Sequence, residues 1–128
     1  MSLFHGQTQL ILCLEHQNSA LYGHLIQDIP SRQLYWFRPF ALLCTLSADE
    51  TLLYDLRQGS DLLCPKNLFR AALDIEVLPL LTRLEGSKSQ ESERGNTIDR
   101  SAQQALQAFL HQLWKADPNA FQSRQNHT

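Results

Sequence analysis

Residues 33–44, QLYWFRPFALLC, set the strictest condition on what this chain can fold into. Apolar or aromatic side chains fill nearly every position, so neither face of a strand built from them is at ease in water. A strand with one wet face alternates, whereas a continuous apolar run is covered on both sides. The segment is therefore expected to be a central strand with the rest of the chain packed around it. Simple alternation puts Tyr35, Phe37, Ala41 and Leu43 on one face and Leu34, Trp36, Phe40, Leu42 and Cys44 on the other. Pro39 interrupts that pattern. Lacking an amide donor, it belongs at a bulge, a bend or a position whose amide points away from the ladder.

Further strands are expected on both sides of this one, filling residues 8–64. Residues 8–16 place Leu10, Leu12 and Leu14 on one face and Ile11 and Cys13 on the other. Gln17-Asn18-Ser19 makes a polar turn, with Asn18 suited to a positive φ. Residues 20–28 alternate, and Gly23 inside them marks a bulge or a close backbone approach. Residues 51–57 form a fourth strand after the polar 47–50 turn, and 61–64 a short fifth strand or irregular segment. Short connections require mostly antiparallel neighbours, since parallel ones need long crossovers.

The pattern changes after Pro65. Two short helices are expected over 66–85: one capped by Asn67 and carrying Leu68, Phe69, Ala72 and Leu73, and one capped by Asp74 and carrying Val77, Leu78, Leu81 and Leu84. Pro79 is to sit in the first turn of the second helix or break it, and Gly86 is to end it. Residues 86–97, GSKSQESERGNT, lack any apolar side chain and read as a flexible linker. Residues 98–117 then form the strongest helix, with Ala102, Ala105, Leu106, Phe109, Leu110, Leu113 and Trp114 in one wide apolar stripe. Asp117-Pro118-Asn119 stops it, Phe121 is a candidate last anchor, and 122–128 a frayed tail. The fold class is α+β: a small curved antiparallel sheet or open barrel of four to five strands, covered by helices from the C-terminal half. All 128 residues make one domain.

Composition narrows the function. A net charge of −2 gives no basic field to attract nucleic acid or an anionic membrane. No run approaches the roughly 18 consecutive apolar residues of a membrane span, and the first 16 residues do not read as a signal peptide. Cys13, Cys44 and Cys64 are odd in number, far apart and set in apolar runs, which suits reduced thiols in the cytoplasm.

Chemistry-bearing motifs are sparse. His5, His16, His24, His111 and His127 pair with no cysteine or other histidine at a metal-ligand spacing. The phosphate-binding GxxxxGK[ST] loop, the dinucleotide GxGxxG turn and the GxSxG elbow are missing from the sequence. No cofactor, metal or catalytic residue is indicated. Asp61 and Asp74 suit turn and cap positions. Cys64, before Pro65, is the one thiol at a junction where a reactive group could stand. Tyr35, Trp36, Phe37, Arg38 and Phe40 resemble a base-stacking platform in composition, but only Arg32, Arg38 and Arg57 accompany them, and core packing explains the rings.

Residues 21–43 (LYGHLIQDIPSRQLYWFRPFALL), 52–81 and 112–121 (QLWKADPNAF) resemble a group of small cyanobacterial proteins with no assigned function. That resemblance implies a cytoplasmic accessory role in a photosynthetic cell and carries no catalytic residue. The reading favoured by the residues is a non-enzymatic interaction or assembly protein that binds another protein or a second copy of itself. Its candidate contacts are Trp36, Arg38, Tyr54, Phe109 and Trp114. The rival is a small enzyme or ligand-binding domain with a pocket between sheet and helix, using His24, Asp55 or Cys64. RNA binding by a small barrel is a weaker third.

Overall fold

The computed structural model describes residues 10–91 and 100–116, with 87–91 as backbone only. The protein is α+β, with an open antiparallel sheet between two helices. The strands are β1 (Ile11–His16), β2 (Ser19–Ile29), β3 (Leu34–Ser47), β4 (Glu50–Asp55), β5 (Leu62–Pro65) and β6 (Phe69–Ala71). The helices are α1 (Asp74–Glu91) and α2 (Arg100–Ala116). The sheet runs β4-β3-β2-β1-β6, with β5 also paired to β3.

The apolar run of β3 is central. One edge pairs with β2 along almost its whole length. The other edge pairs with β5 through Leu34 to Phe37 and with β4 from Ala41 onward. Pro39 lies in the gap between those two ladders, where its missing amide interrupts neither. Across from it stands Gly23. The register passes from Tyr22↔Ala41 directly to Gly23↔Pro39, so Phe40 is an extra residue on β3. A Cβ on Gly23 would lie 2.4 Å from the Arg38 carbonyl oxygen, 2.6 Å from the Phe37 ring and 2.7 Å from Pro39 Cα. Only glycine permits that approach.

The bulge reverses which residues share a face. Tyr35 and Phe37 join Leu42 and Cys44 on the side that α2 covers, while Phe40, Ala41 and Leu43 face α1. The simple alternation expected from sequence is thus wrong past Pro39, because one extra residue shifts the two-residue period. On the first face Leu12, Leu14, Leu21, Phe37, Leu42 and Leu56 pack with Ala102, Leu106, Phe109 and Leu113 of α2. On the second, Cys13, Ala20, Tyr22, Phe40 and Ala41 pack with Val77, Leu80 and Leu84 of α1. Each large aliphatic or aromatic side chain buried this way contributes about 1.5–3 kcal/mol.

Several expectations need correction. The segment after Pro65 is a 3₁₀ turn (Lys66–Leu68) and a sixth strand, with Leu14↔Phe69 and Leu12↔Ala71 pairing, where a short helix was expected. The ladder with β1 and burial of Phe69 beside Phe37 (ring centroids 4.8 Å apart) outweigh the helical spacing of so short a piece. One long helix replaces the second short one. It runs through Pro79 and through Gly86, so 86–91 are helical where a linker was expected, and the rest of that linker, 92–97, lies outside the described residues. In the β1–β2 hairpin the positive φ falls on Gln17 (56°), not Asn18. Asn18 is instead tied to β3: its Nδ2 donates to the Thr45 carbonyl (2.7 Å), and Thr45 N donates back to its own carbonyl (2.8 Å).

Two glycine substitutions have opposite expected signs. Gly23→Ala forces Cβ into backbone and lowers unfolding stability by about 3 kcal/mol or more. Gly86→Ala meets nothing within 4 Å and raises stability by about 0.5–1 kcal/mol, since glycine in a helix interior carries an entropic penalty. Urea unfolding of the two variants beside the parent chain checks both.

Candidate functional site

Helix α1 has two apolar faces. Val77, Leu80 and Leu84 are turned to the sheet. With about 100° between successive residues, Ile75 and Leu78 fall away from the sheet, and Leu81 falls on the flank between Leu78 and Val77. Their exposures are 81%, 60% and 37%, and Leu73, at the helix start, is 59% exposed. Ile75 and Leu78, with Leu81 on their flank and Leu73 just before the helix, therefore leave more large aliphatic surface in water than scattered surface apolar residues account for. The stripe is displayed on a helix fixed at several points. The Leu73 amide donates to Glu76 Oε2 (2.7 Å), the reach-back half of a capping box. The cap is thus supplied by Glu76 and not, as expected, by Asp74. Farther along, the Arg57 guanidinium donates to the Leu84 carbonyl (3.2 Å) and Arg83 to Thr51 Oγ1 (3.1 Å).

The start of α1 is locked to the sheet through charge. Arg70 on β6 donates to Glu76 (2.7 and 2.9 Å) and to Glu15 on β1 (2.9 and 3.3 Å). The Tyr22 hydroxyl donates to Glu76 Oε1 (2.7 Å). The hydrogen bonds from Arg70, with those from the Leu73 amide and Tyr22, bring the Glu76 carboxyl down to about 2. Burial and the bond to Glu76 raise the Tyr22 phenol, and burial raises the Cys13 thiol to about 11. Cys13 is accordingly an inert core thiol.

A second apolar feature lies on the opposite side of the sheet. An open groove of about 380 Å³ runs between β5 and the second half of α2, lined by Leu62, Leu63, Cys64, Gln107, Leu110, His111 and Trp114. Leu63 and Trp114 stand on it half-exposed. Cys64 is buried in its floor.

The residues singled out from sequence are not gathered in one place. Trp114 and Cys64 meet in the groove. Trp36 and Arg38 converge on Asp61, which accepts from Trp36 Nε1 (2.8 Å) and from Arg38 Nε and Nη2 (2.8 and 2.9 Å). The Arg38 bonds, with the indole's, hold the Asp61 carboxyl below its ordinary value. Asp61 is thus a side-chain anchor, beyond the turn role expected of it. Phe109 is buried between α2 and the sheet, and Tyr54 packs against the same cluster. Phe37 and Phe40 are buried, which withdraws both rings from any stacking platform.

The rival trio does not assemble. His24 stacks on Phe40 (5.2 Å between ring centroids) with its Nδ1 buried and without a hydrogen-bond partner. Burial, helped by the Arg38 charge, lowers its pKa. Burial would raise the Asp55 carboxyl, but hydrogen bonds from Arg57 (2.6 and 2.9 Å) hold it low. Neither residue lines the groove that holds Cys64. Among the described residues, no group of three or more His, Cys, Asp or Glu is placed to hold a metal ion. No helix among them is long and apolar enough to cross a membrane.

Ile75 was not visible as a surface residue from sequence. It belongs to the nearly continuous apolar run 75–81, in which only the sheet's position decides which residues are outside. No protein-family model matches the chain, and no curated protein or solved structure matches it.

The charge lock predicts a distinct acid profile. His24 has a folded pKa below its ordinary 6.5, so the unfolded chain binds more protons and stability falls as pH drops below about 6.5. Glu76 is also depressed, from 4.5, so its contribution is complete above pH 4.5 and is lost on the way down to about 2. Thermal unfolding from pH 8 to pH 2 should show both declines. Glu76→Gln should lower stability by about 1–3 kcal/mol at pH 7 and flatten the lower one.

Proposed function

We propose that the chain is a non-enzymatic assembly protein that binds another protein through the outward face of α1. The observation that carries this reading is the exposed pair Ile75 and Leu78, flanked by Leu81 and by Leu73 just before the helix, on a helix whose other face is already seated on the sheet. A rigid amphipathic surface of this kind suits a partner's apolar side chains at helical spacing. The cytoplasm, and an accessory role in a photosynthetic cell, belong to the same proposal through the sequence resemblance. A homodimer through this face is the simplest form of it. Of the sequence candidates, Phe109 is buried, while Arg38 and Trp114 are exposed and Trp36 and Tyr54 are part-exposed, with surface left for a partner.

A second reading, ligand binding, is favoured by one observation, the apolar groove between β5 and α2. It is a pocket between sheet and helix, and it uses Cys64 without His24 or Asp55.

Ile75→Glu/Leu78→Glu distinguishes the two. Both positions are exposed, so the melting temperature should move little. If the parent chain self-associates, or retains a partner from extract of its own cells, the double variant should weaken that association at least tenfold. The proposal is contradicted if binding is unchanged, or if neither self-association nor a partner sensitive to the variant is found.

A further inference from the structure

A titratable ring stands at the edge of the seat of α1. His24 lies opposite Ile11 on β1 and Arg38 on β3, directly after Gly23 and its close contact with Pro39. Its ring leans on Phe40, the extra residue of the bulge, and Phe40 packs in the cluster that holds Val77, Leu80 and Leu84 of α1. The ring as a whole is only partly buried, but its Nδ1 is buried without a hydrogen-bond partner. A neutral imidazole meets that condition by keeping its proton on Nε2 and leaving Nδ1 a bare lone pair. An imidazolium does not, because both nitrogens then carry N–H and a charged donor is stranded in the interior.

The charges around the ring offer it no relief. From β3 comes Arg38, of the same sign as an imidazolium and pinned by Asp61 through Nε and Nη2 (2.8 and 2.9 Å). β1 presents Ile11, which is uncharged. Two residues back along β2, Tyr22 donates its hydroxyl to Glu76 of α1 (2.7 Å), and Arg70 of β6 donates to the same carboxylate (2.7 and 2.9 Å). Asp61 and Glu76, the carboxylates of this set, are therefore both engaged elsewhere. Burial and the Arg38 charge both favour the neutral ring.

We propose that His24 is an acid-operated latch on the seat of α1: protonation drives its ring off Phe40 into solvent, and the β2–β3 bulge then loosens its hold on the helix. The bulge is the place where such a movement transmits best. Gly23 has no side chain to brace it, Pro39 has no amide to give to a ladder, and Phe40 joins the disturbed strand to the underside of α1. The opposite face of the sheet, where Phe37 stacks on Phe69 (4.8 Å between centroids) beneath α2, has no contact in this chain of effects and stays closed. The latch concerns how α1 is seated and does not depend on what its outer face binds.

The test is an NMR titration of the full chain from pH 8 to pH 5. The cross-peak between the His24 and Phe40 rings should disappear with a midpoint below 6.5, while that between Phe37 and Phe69 persists. Over the same range, hydrogen-exchange protection of the Val77 to Leu84 amides should fall at least tenfold and that of the α2 amides should hold. In His24→Gln, the loss of α1 protection should vanish. In Arg38→Gln, with the like charge gone, the midpoint should move upward. A His24–Phe40 cross-peak that survives protonation of the ring overturns the proposal. So does an equal loss of α1 protection in His24→Gln, or a simultaneous loss in α1 and α2, which is global unfolding and no latch.

Discussion

The close approach of Gly23 to the backbone of Arg38 and Pro39 governs how this sheet presents its two faces. A strand as apolar as β3 is stable only if both of its sides are covered. With strict alternation, Phe40 would share a face with Leu42 and Cys44. The extra residue at Phe40 places Tyr35, Phe37, Leu42 and Cys44 on one side and Phe40, Ala41 and Leu43 on the other. Each helix then has a matching surface: α2 takes the larger cluster and α1 the smaller. The same kink lets the outer edge of β3 change partner from β5 to β4 without stranding a ladder across Pro39.

Much of this was legible in the residues. Gly23 and Pro39 each signal an irregularity, one by its missing side chain and one by its missing amide, and they turn out to face each other. What sequence could not give was the direction of the parity change, because that depends on which of two strands carries the extra residue. The sixth strand was hidden for a related reason. Three residues have too little pattern to separate a strand from a helical turn, and the partner that decides, β1, lies more than fifty residues earlier. Asp74 is a good cap by type, but the helix begins where Glu76 can reach both the Leu73 amide and Arg70. Long-range charge pairing chose the helix start, which local propensity cannot see.

The site was less legible than the fold. Trp114 and Cys64 stand out from sequence as an amphipathic helix residue and a junction thiol, and the fold sets them in one groove. Phe109 carries the same helical signal as Trp114 but faces inward, whereas Trp114 stays half-exposed because the stripe of α2 is wider than the sheet can cover. On α1 the apolar run encircles much of the helix, so no periodicity separates Ile75 and Leu78 from Val77 and Leu80. The two surfaces that result differ in kind. The α1 face is convex and held from beneath by ion pairs, whereas the β5–α2 groove is concave and borders the end of its own helix. A convex stripe suits assembly, whereas an apolar groove suits a ligand.

The central claim is that the β2–β3 junction at Gly23 and Pro39 is the structural keel and that both helices depend on it. Native-state hydrogen exchange, read residue by residue, tests this most directly. The account predicts that amides of Leu21, Tyr22, Ala41 and Leu42 are among the slowest to exchange, opening only with global unfolding, and that no amide of α1 or α2 outlasts them. Helical amides in α2 that remain protected after those of β2 and β3 have exchanged would contradict it, and would make the helix the core on which the sheet is laid.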